Sequence, residues 1–229
     1  KKLSLGISDV IDSYGLKKEG DYDLNFSHIN EYGWKRLNAN LRQIGSKYYS
    51  QFGLSLRVEL IESIWVTFLQ DLNEGKQNPN NYSTLTFSAI GLCPELRNNP
   101  KYHRYGYILE PNDNSINDYL DIVKYQLDEI LMPFLNQNSN IKSLDKLFND
   151  PPEKFDDLKF YSVRGVEFRK MIIAKYAGNP DYEKVCSAMK TLIESWIKQD
   201  SRMTGYMTVY EKVHEKLKDI KPLENPNFA

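Results

Sequence analysis

"SINDYLDIVKYQLDEILMPFLNQN", residues 115–138, decides how the chain divides. Ile116, Tyr119, Leu120, Val123, Leu127, Ile130, Leu131 and Phe134 recur at three- and four-residue steps, the period of one helical face. Ser115 reads as the N-cap, with Asp118 completing a capping box. Pro133 interrupts the apolar run. It offers no backbone donor and clashes with the carbonyl four residues back, at a cost of about 3 kcal/mol or more in a helix interior. The run must therefore kink near Glu129 or restart as a short helix with Pro133 in its first turn.

Upstream, the dominant period is two. "LSLGISDVIDSYG" (3–15) is first a short helix closed by Gly15. "DYDLNFSHI" (21–29) then alternates Tyr22, Leu24 and Phe26 as a strand. In "INEYGWKRLNANLRQIGSKYYSQFG" (29–53), Leu37, Leu41, Ile44 and Tyr48 keep helical spacing, although Gly45 costs such a helix about 1 kcal/mol. "LSLRVELIESIWVTFL" (54–69) alternates Leu54, Leu56, Val58 and Leu60 and predicts one long or two short strands. Glu59 and Glu62 would then face opposite sides of a sheet. "NEGKQNPNNY" (73–82) is a polar connection. "YSTLTFSAIGL" (82–92) and "YGYILE" (105–110) are further strands, ended by Pro94 and Pro111.

Downstream, only helical spacing remains. "IKSLDKLF" (141–148) is a short helix, and "NDPPEKFDD" (149–157) is a linker. "VEFRKMIIAKY" (166–176) places Phe168, Ile172 and Tyr176 on one side. "AGNPD" (177–181) reverses the chain, with Gly178 as the C-terminal cap, Asn179 as the next N-cap and Pro180 at its first position. Tyr182, Val185, Met189, Leu192, Ile193 and Trp196 stripe the second helix of that antiparallel hairpin. "GYMTVYEKVHEKL" (205–217) adds a third, with Tyr206, Tyr210, Val213 and Leu217 inward. The expected fold is α+β: an antiparallel sheet with helices over 1–112, then a helical portion over 113–229 containing a hairpin and a further helix. The two portions are expected to pack as one unit, with any boundary at 149–156.

Composition narrows the function classes. The 229 residues carry 30 Lys and Arg against 31 Asp and Glu, a net charge of −1, interleaved along the chain. Phosphate-backbone binding needs clustered cations, so no nucleic-acid partner is expected. No apolar run approaches a membrane span; "IWVTFL" (64–69) is strand-sized, so no membrane partner is expected. Two widely separated cysteines, Cys93 and Cys186, fit reduced thiols and a cytoplasmic setting, with one long-range disulfide as the alternative. The chain opens on Lys1 rather than Met, so a preceding segment, a removed signal peptide among the options, is also consistent.

The order of several short stretches resembles a bacterial family of unknown function, the DUF4304-like domains. These stretches are the first helix running into "YGLKKEGDYDLNFSH", the strand "LTFSAIGL", the helix closing on "LMPFLNQNSNIKSLDKLF" and the pair around "AGNPDYEKV". The likeness covers about half the chain, in pieces; residues 30–75 depart from it by being longer and more helical. It implies an α+β fold with no established activity and no catalytic residues to transfer. It also implies that "PFL" at 133–135 closes a scaffold helix.

Catalytic signatures are missing. His28, His103 and His214 have no metal-ligand spacing, and neither HExxH nor Cys-x-x-Cys occurs. His214, beside Glu211 and Glu215, reads as part of a solvated face. "NEGKQ" lacks the rest of a phosphate loop, and no Gly-x-Ser-x-Gly elbow is present. "DNSIND" fails as a calcium loop because Asp118 stands where Gly is needed. "DLK" (157–159) and "DIK" (219–221) follow no strand. No catalytic residue, metal or cofactor is assigned, and the reading leans away from an enzyme. "PKYHRYGY" (100–107) is the one local cluster kept. Lys101, His103, Arg104 and Tyr105 there combine cations with aromatic walls and suit an anion or small ligand. Trp196 is expected in the core. Trp34, beside Gly33 in a turn-like setting, is the tryptophan expected to meet a partner protein. The leading expectation is a non-enzymatic bacterial protein-interaction module, of a toxin-neutralising or defence-associated kind; a small-ligand protein using the 100–107 loop is the alternative.

Overall fold

The computed structural model describes residues 2–19, 24–69, 72, 78, 82–103, 106–155, 166–224 and 228. In chain order the elements are α1 (Lys2–Asp12), β1 (Lys17–Lys18), β2 (Asn25–Asn30), β3 (Gly33–Ile44), β4 (Lys47–Val58), α2 (Glu59–Leu69), β5 (Leu85–Ser88) and α3 (Ala89–Leu92). There follow β6 (Tyr102–His103), β7 (Gly106–Leu109), α4 (Asp113–Gln126), α5 (Met132–Gln137), α6 (Ile141–Asn149), α7 (Val166–Ala177), α8 (Tyr182–Gln199) and α9 (Thr204–Leu217). The chain is α+β, with a seven-stranded antiparallel sheet and a helical C-terminal half, as its patterning predicts. It packs as two units, each assembled from separate stretches. Unit 1 joins Lys1–Leu56 to Thr86–Asn136, and unit 2 joins Arg57–Leu85 to Gln137–Ala229. The change of pattern at residue 112 lies inside unit 1, and the linker at 149–156 inside unit 2.

Unit 1 is built on the sheet, ordered β1-β2-β3-β4-β7-β6 with β5 also paired to β4. The helix expected over 29–53 is instead the β3–β4 hairpin. Gly45 takes φ 62 and turns the chain with Ser46, a two-residue connection that favours residues free to adopt positive φ. Burial follows the strand period: Leu37 and Ala39 are buried, whereas Leu41, which the helical spacing would have placed inside, is 47% exposed. Gly106 opens β7 at φ 120, and a Cβ there would lie 2.3 Å from the Ser50 carbonyl oxygen. "YSTLTFSAIGL" forms a strand only over β5; Ser88 then accepts from the Gly91 amide and starts α3. The strand read over 21–29 begins at Asn25, and Tyr22 lies outside the described residues.

α1, closed by Gly15 at φ 69, packs against α4. The N-cap of α4 is Asn112, not Ser115. The Asn112 side chain accepts from the Ser115 amide at 2.8 Å, and the Ser115 hydroxyl accepts from the Glu110 amide at 3.0 Å. Tyr119, Val123, Leu127, Leu131 and Leu135 carry one buried face across the proline. A π turn over Leu127–Leu131 separates α4 from α5, and Pro133 is the second residue of α5. Widening the helix just ahead of the proline accommodates a position that can neither donate nor tolerate the carbonyl four residues back.

Unit 2 is helical. Residues 59–69 form α2 rather than strand. Ile61, Ile64 and Trp65 are buried at helical spacing, and Leu60, which alternation would bury, is 38% exposed. α2 packs on α7 and α9, and α7 also packs on α6 and α8. α7 is buried on every side from Phe168 to Ala174, not along a single stripe. Its Phe168 ring stacks on Trp65 at 5.1 Å. The reversal after α7 is a Schellman motif: the Gly178 amide donates to the Lys175 carbonyl and the Asn179 amide to the Ala174 carbonyl. Asn179 then accepts from the Asp181 amide through its side chain, and α8 begins at Tyr182, so the expected cap sits short of the helix start. Trp196 is only half-buried, edge-on to Tyr206; Trp65 is the fully buried tryptophan. His214 leaves the solvated face foreseen for it and stacks between Tyr210 at 5.8 Å and Tyr182 at 6.4 Å.

Candidate functional site

The register of unit 1 sorts its surface residues onto two faces. Ile29 stands opposite Trp34, and Phe26 opposite Leu37. Phe26 and Leu37 are fully buried, so Ile29 and Trp34 point the other way. Ile29 is 73% exposed, the most exposed of the large apolar side chains described. The Arg36 guanidinium lies 4.5 Å over the Trp34 ring and pairs with Glu19 at 3.2 Å. The outward face of β2 and β3 therefore presents an aliphatic group, an indole and an arginine already held in place by a carboxylate.

At the other end of the sheet, β6 pairs with β7 and β7 with β4. Tyr102 stands opposite Tyr107 and Ser50 opposite Tyr107, which puts these three side chains on one face. They turn inward with Tyr119 of α4. The Tyr107 ring is 5.3 Å from Tyr102 and 5.4 Å from Tyr119; Ser50 and Tyr119 share a hydroxyl hydrogen bond of 2.5 Å, and Gln126 donates to Tyr102. Burial pushes the Tyr119 phenol up to about 12 and raises that of Tyr102 further. The Tyr107 hydroxyl is buried, with the Lys101 ammonium as its polar neighbour. His103 stands opposite Gly106 on the outward face, where its ring lies 5.4 Å from that of Tyr49. Lys101 is exposed and donates to Asp118 at 2.6 Å, which raises the lysine pKa.

The 100–107 stretch thus spreads its side chains. Lys101 engages α4, His103 takes the outward face, and Tyr102 and Tyr107 line the interior. Arg104 and Tyr105 lie outside the described residues. Trp34 shares no cluster with them, being on β3, three strands from β6.

Unit 2 holds charged groups that no local motif announces. Arg169 and Glu62 form a fully buried bidentate pair, and the Thr84 hydroxyl donates to Glu62 at 2.8 Å. Arg57 is buried, donates to both carboxylate oxygens of Glu59 and to the Tyr82 carbonyl, and lowers the Glu59 pKa. Lys170 donates to the carbonyls of Pro152 at 3.0 Å and Lys154 at 2.6 Å, with the Phe155 ring 4.2 Å away. Burial pushes its pKa down to about 8. The only sequence signal for these pairings is charge inside an otherwise apolar helical run. Among the described residues no group of His, Cys, Asp and Glu could hold a metal ion, both cysteines are free, and no helix is long and apolar enough to cross a membrane. No protein-family model, curated protein or solved structure matches the chain.

Proposed function

We propose that the protein is a non-enzymatic interaction module that binds another protein through the outward face of β2 and β3. The supporting observation is the Ile29–Trp34 pair beside Arg36. Trp and Arg are the residue types most enriched among energetically dominant interface positions, and a pre-set Arg36–Glu19 pair lowers the ordering cost on binding. The buried charged groups of unit 2, Glu62, Arg169 and Lys170, have internal partners, which supports structural rather than chemical roles for them. A small-ligand site on 100–107 has less support, because Asp118 already engages the Lys101 ammonium.

The test is affinity capture from the native host with the wild type and with Trp34→Ala and Ile29→Asp. A partner recovered by the wild type and lost with both variants, at unchanged melting temperature, is the expected result. Failure of folded wild-type protein to recover any partner, or recovery indifferent to both substitutions, overturns the reading.

A further inference from the structure

Unit 2 contains a groove of about 640 Å³ along α8, lined by Glu153 and Phe155 and by α8 side chains from Glu183 to Ser195. From Glu183 to Ser195 it runs about 18 Å, roughly three helical turns. Its far wall is the segment at 153–155, held down by the buried Lys170 through the carbonyls of Pro152 and Lys154 and the ring of Phe155. A buried ammonium with its donors on backbone carbonyls fixes that wall relative to α7, so the groove is built into the fold.

The lining selects an occupant. The Thr191 hydroxyl donates to the Ser187 carbonyl and the Ser195 hydroxyl to the Leu192 carbonyl, at 3.0 and 2.6 Å. Neither hydroxyl needs a new partner, so an apolar group can cover them without stranding a donor. Small side chains at Ser187, Ala188 and Thr191 let a backbone approach closely, and Phe155 and Leu192 supply apolar contact. Charge is asymmetric: Glu153 and Glu183 are exposed at the rim, while Lys184, the one cation among the described lining residues, is paired with Asp181 at 2.6 Å. The rim therefore offers two exposed carboxylates, of which Glu153 also favours the ammonium forms of Lys170 and Lys184.

We propose that this groove docks a helical segment of a partner protein, apolar along one side and carrying Lys or Arg at the end that meets Glu153 and Glu183. It belongs to unit 2 and the Trp34 face to unit 1, and each proposal can fail without the other.

The test is a fluorescence-anisotropy titration of the full chain with a labelled amphipathic peptide of about three to four helical turns bearing two lysines at one end. The same peptide with glutamates there is the control. Saturable binding of the lysine peptide is expected, weakened at least about tenfold by Glu183→Lys and by Ala188→Trp, which fills the groove, and unchanged by Trp34→Ala. Circular dichroism confirms that the variants keep their fold. Absence of binding, equal binding of both peptides, or affinity unaffected by Ala188→Trp overturns the proposal.

Discussion

Arg169 and Glu62 meet through two parallel hydrogen bonds of 2.7 and 2.6 Å, with neither side chain exposed. Planar guanidinium and carboxylate match in geometry, and the Thr84 hydroxyl occupies a further lone pair of Glu62. Truncating one partner strands the other charge in the core. Glu62→Ala or Arg169→Ala should each cost about 3–5 kcal/mol in urea unfolding. The double substitution Glu62→Leu/Arg169→Met should cost less than either single change, because no charge is left behind. Thr84→Val should cost about 2–3 kcal/mol, because that hydroxyl also accepts from the buried Val58 amide.

Lys170 gives a pH signature. Its folded pKa is lowered to about 8, so the unfolded chain binds more protons between there and the ordinary lysine value. Stability assigned to this group is fully present above the unfolded pKa and lost as pH falls through about 8. Asp145, Glu153 and Glu167 pull the other way by favouring the ammonium. Unfolding free energies of wild type and Lys170→Met, compared at pH 7 and pH 10, should show the wild type gaining on the variant at the higher pH. A parallel pH dependence in the two would contradict the assignment.

The two hairpin glycines should respond unequally to alanine. Gly45 has open space around its Cβ position, so Gly45→Ala meets only the strain of a left-handed conformation, about 1 kcal/mol. At Gly106 the new methyl would fall 2.3 Å from the Ser50 carbonyl oxygen as well. Gly106→Ala should therefore be the more destabilising change, with a lower thermal midpoint than Gly45→Ala.

Within the tyrosine cluster, hydroxyl removal should have unequal consequences at neighbouring sites. Tyr107→Phe deletes a buried hydroxyl whose polar neighbour is the half-exposed Lys101 ammonium and should leave stability nearly unchanged. Tyr119→Phe strands the Ser50 hydroxyl and should cost about 1 kcal/mol. Chemical denaturation of the two variants separates them.

Helices with one buried stripe, α4, α8 and α9, were legible in the sequence because their period has no competitor. The β3–β4 hairpin was not, since Leu37, Leu41, Ile44 and Tyr48 satisfy helical spacing by coincidence and only Gly45 marks the turn. α2 failed in the opposite direction: a strand's alternation runs directly into a helix at Glu59 with no breaker between them. The all-round burial of α7 was hidden because Phe168, Ile172 and Tyr176 suggest a single apolar side, and the charged Arg169 and Lys170 are buried only through partners distant in sequence. Trp34 drew notice from its turn-like setting as the tryptophan expected to be exposed, and it lies half-buried near the start of β3. Glu62, Arg169 and Lys170 could not be singled out, because ion pairing across a core leaves no local spacing to find.

Glu62 waits for a partner 107 residues downstream. At about 5–20 residues per second, ribosomal synthesis leaves roughly 5–20 s between the two. Unit 1 has all its residues once Asn136 is made, whereas Ile61, Ile64 and Trp65 emerge long before α7 exists to cover them. The nascent chain therefore displays an adhesive stretch before the helices that cover it exist, the kind of intermediate that chaperones shield.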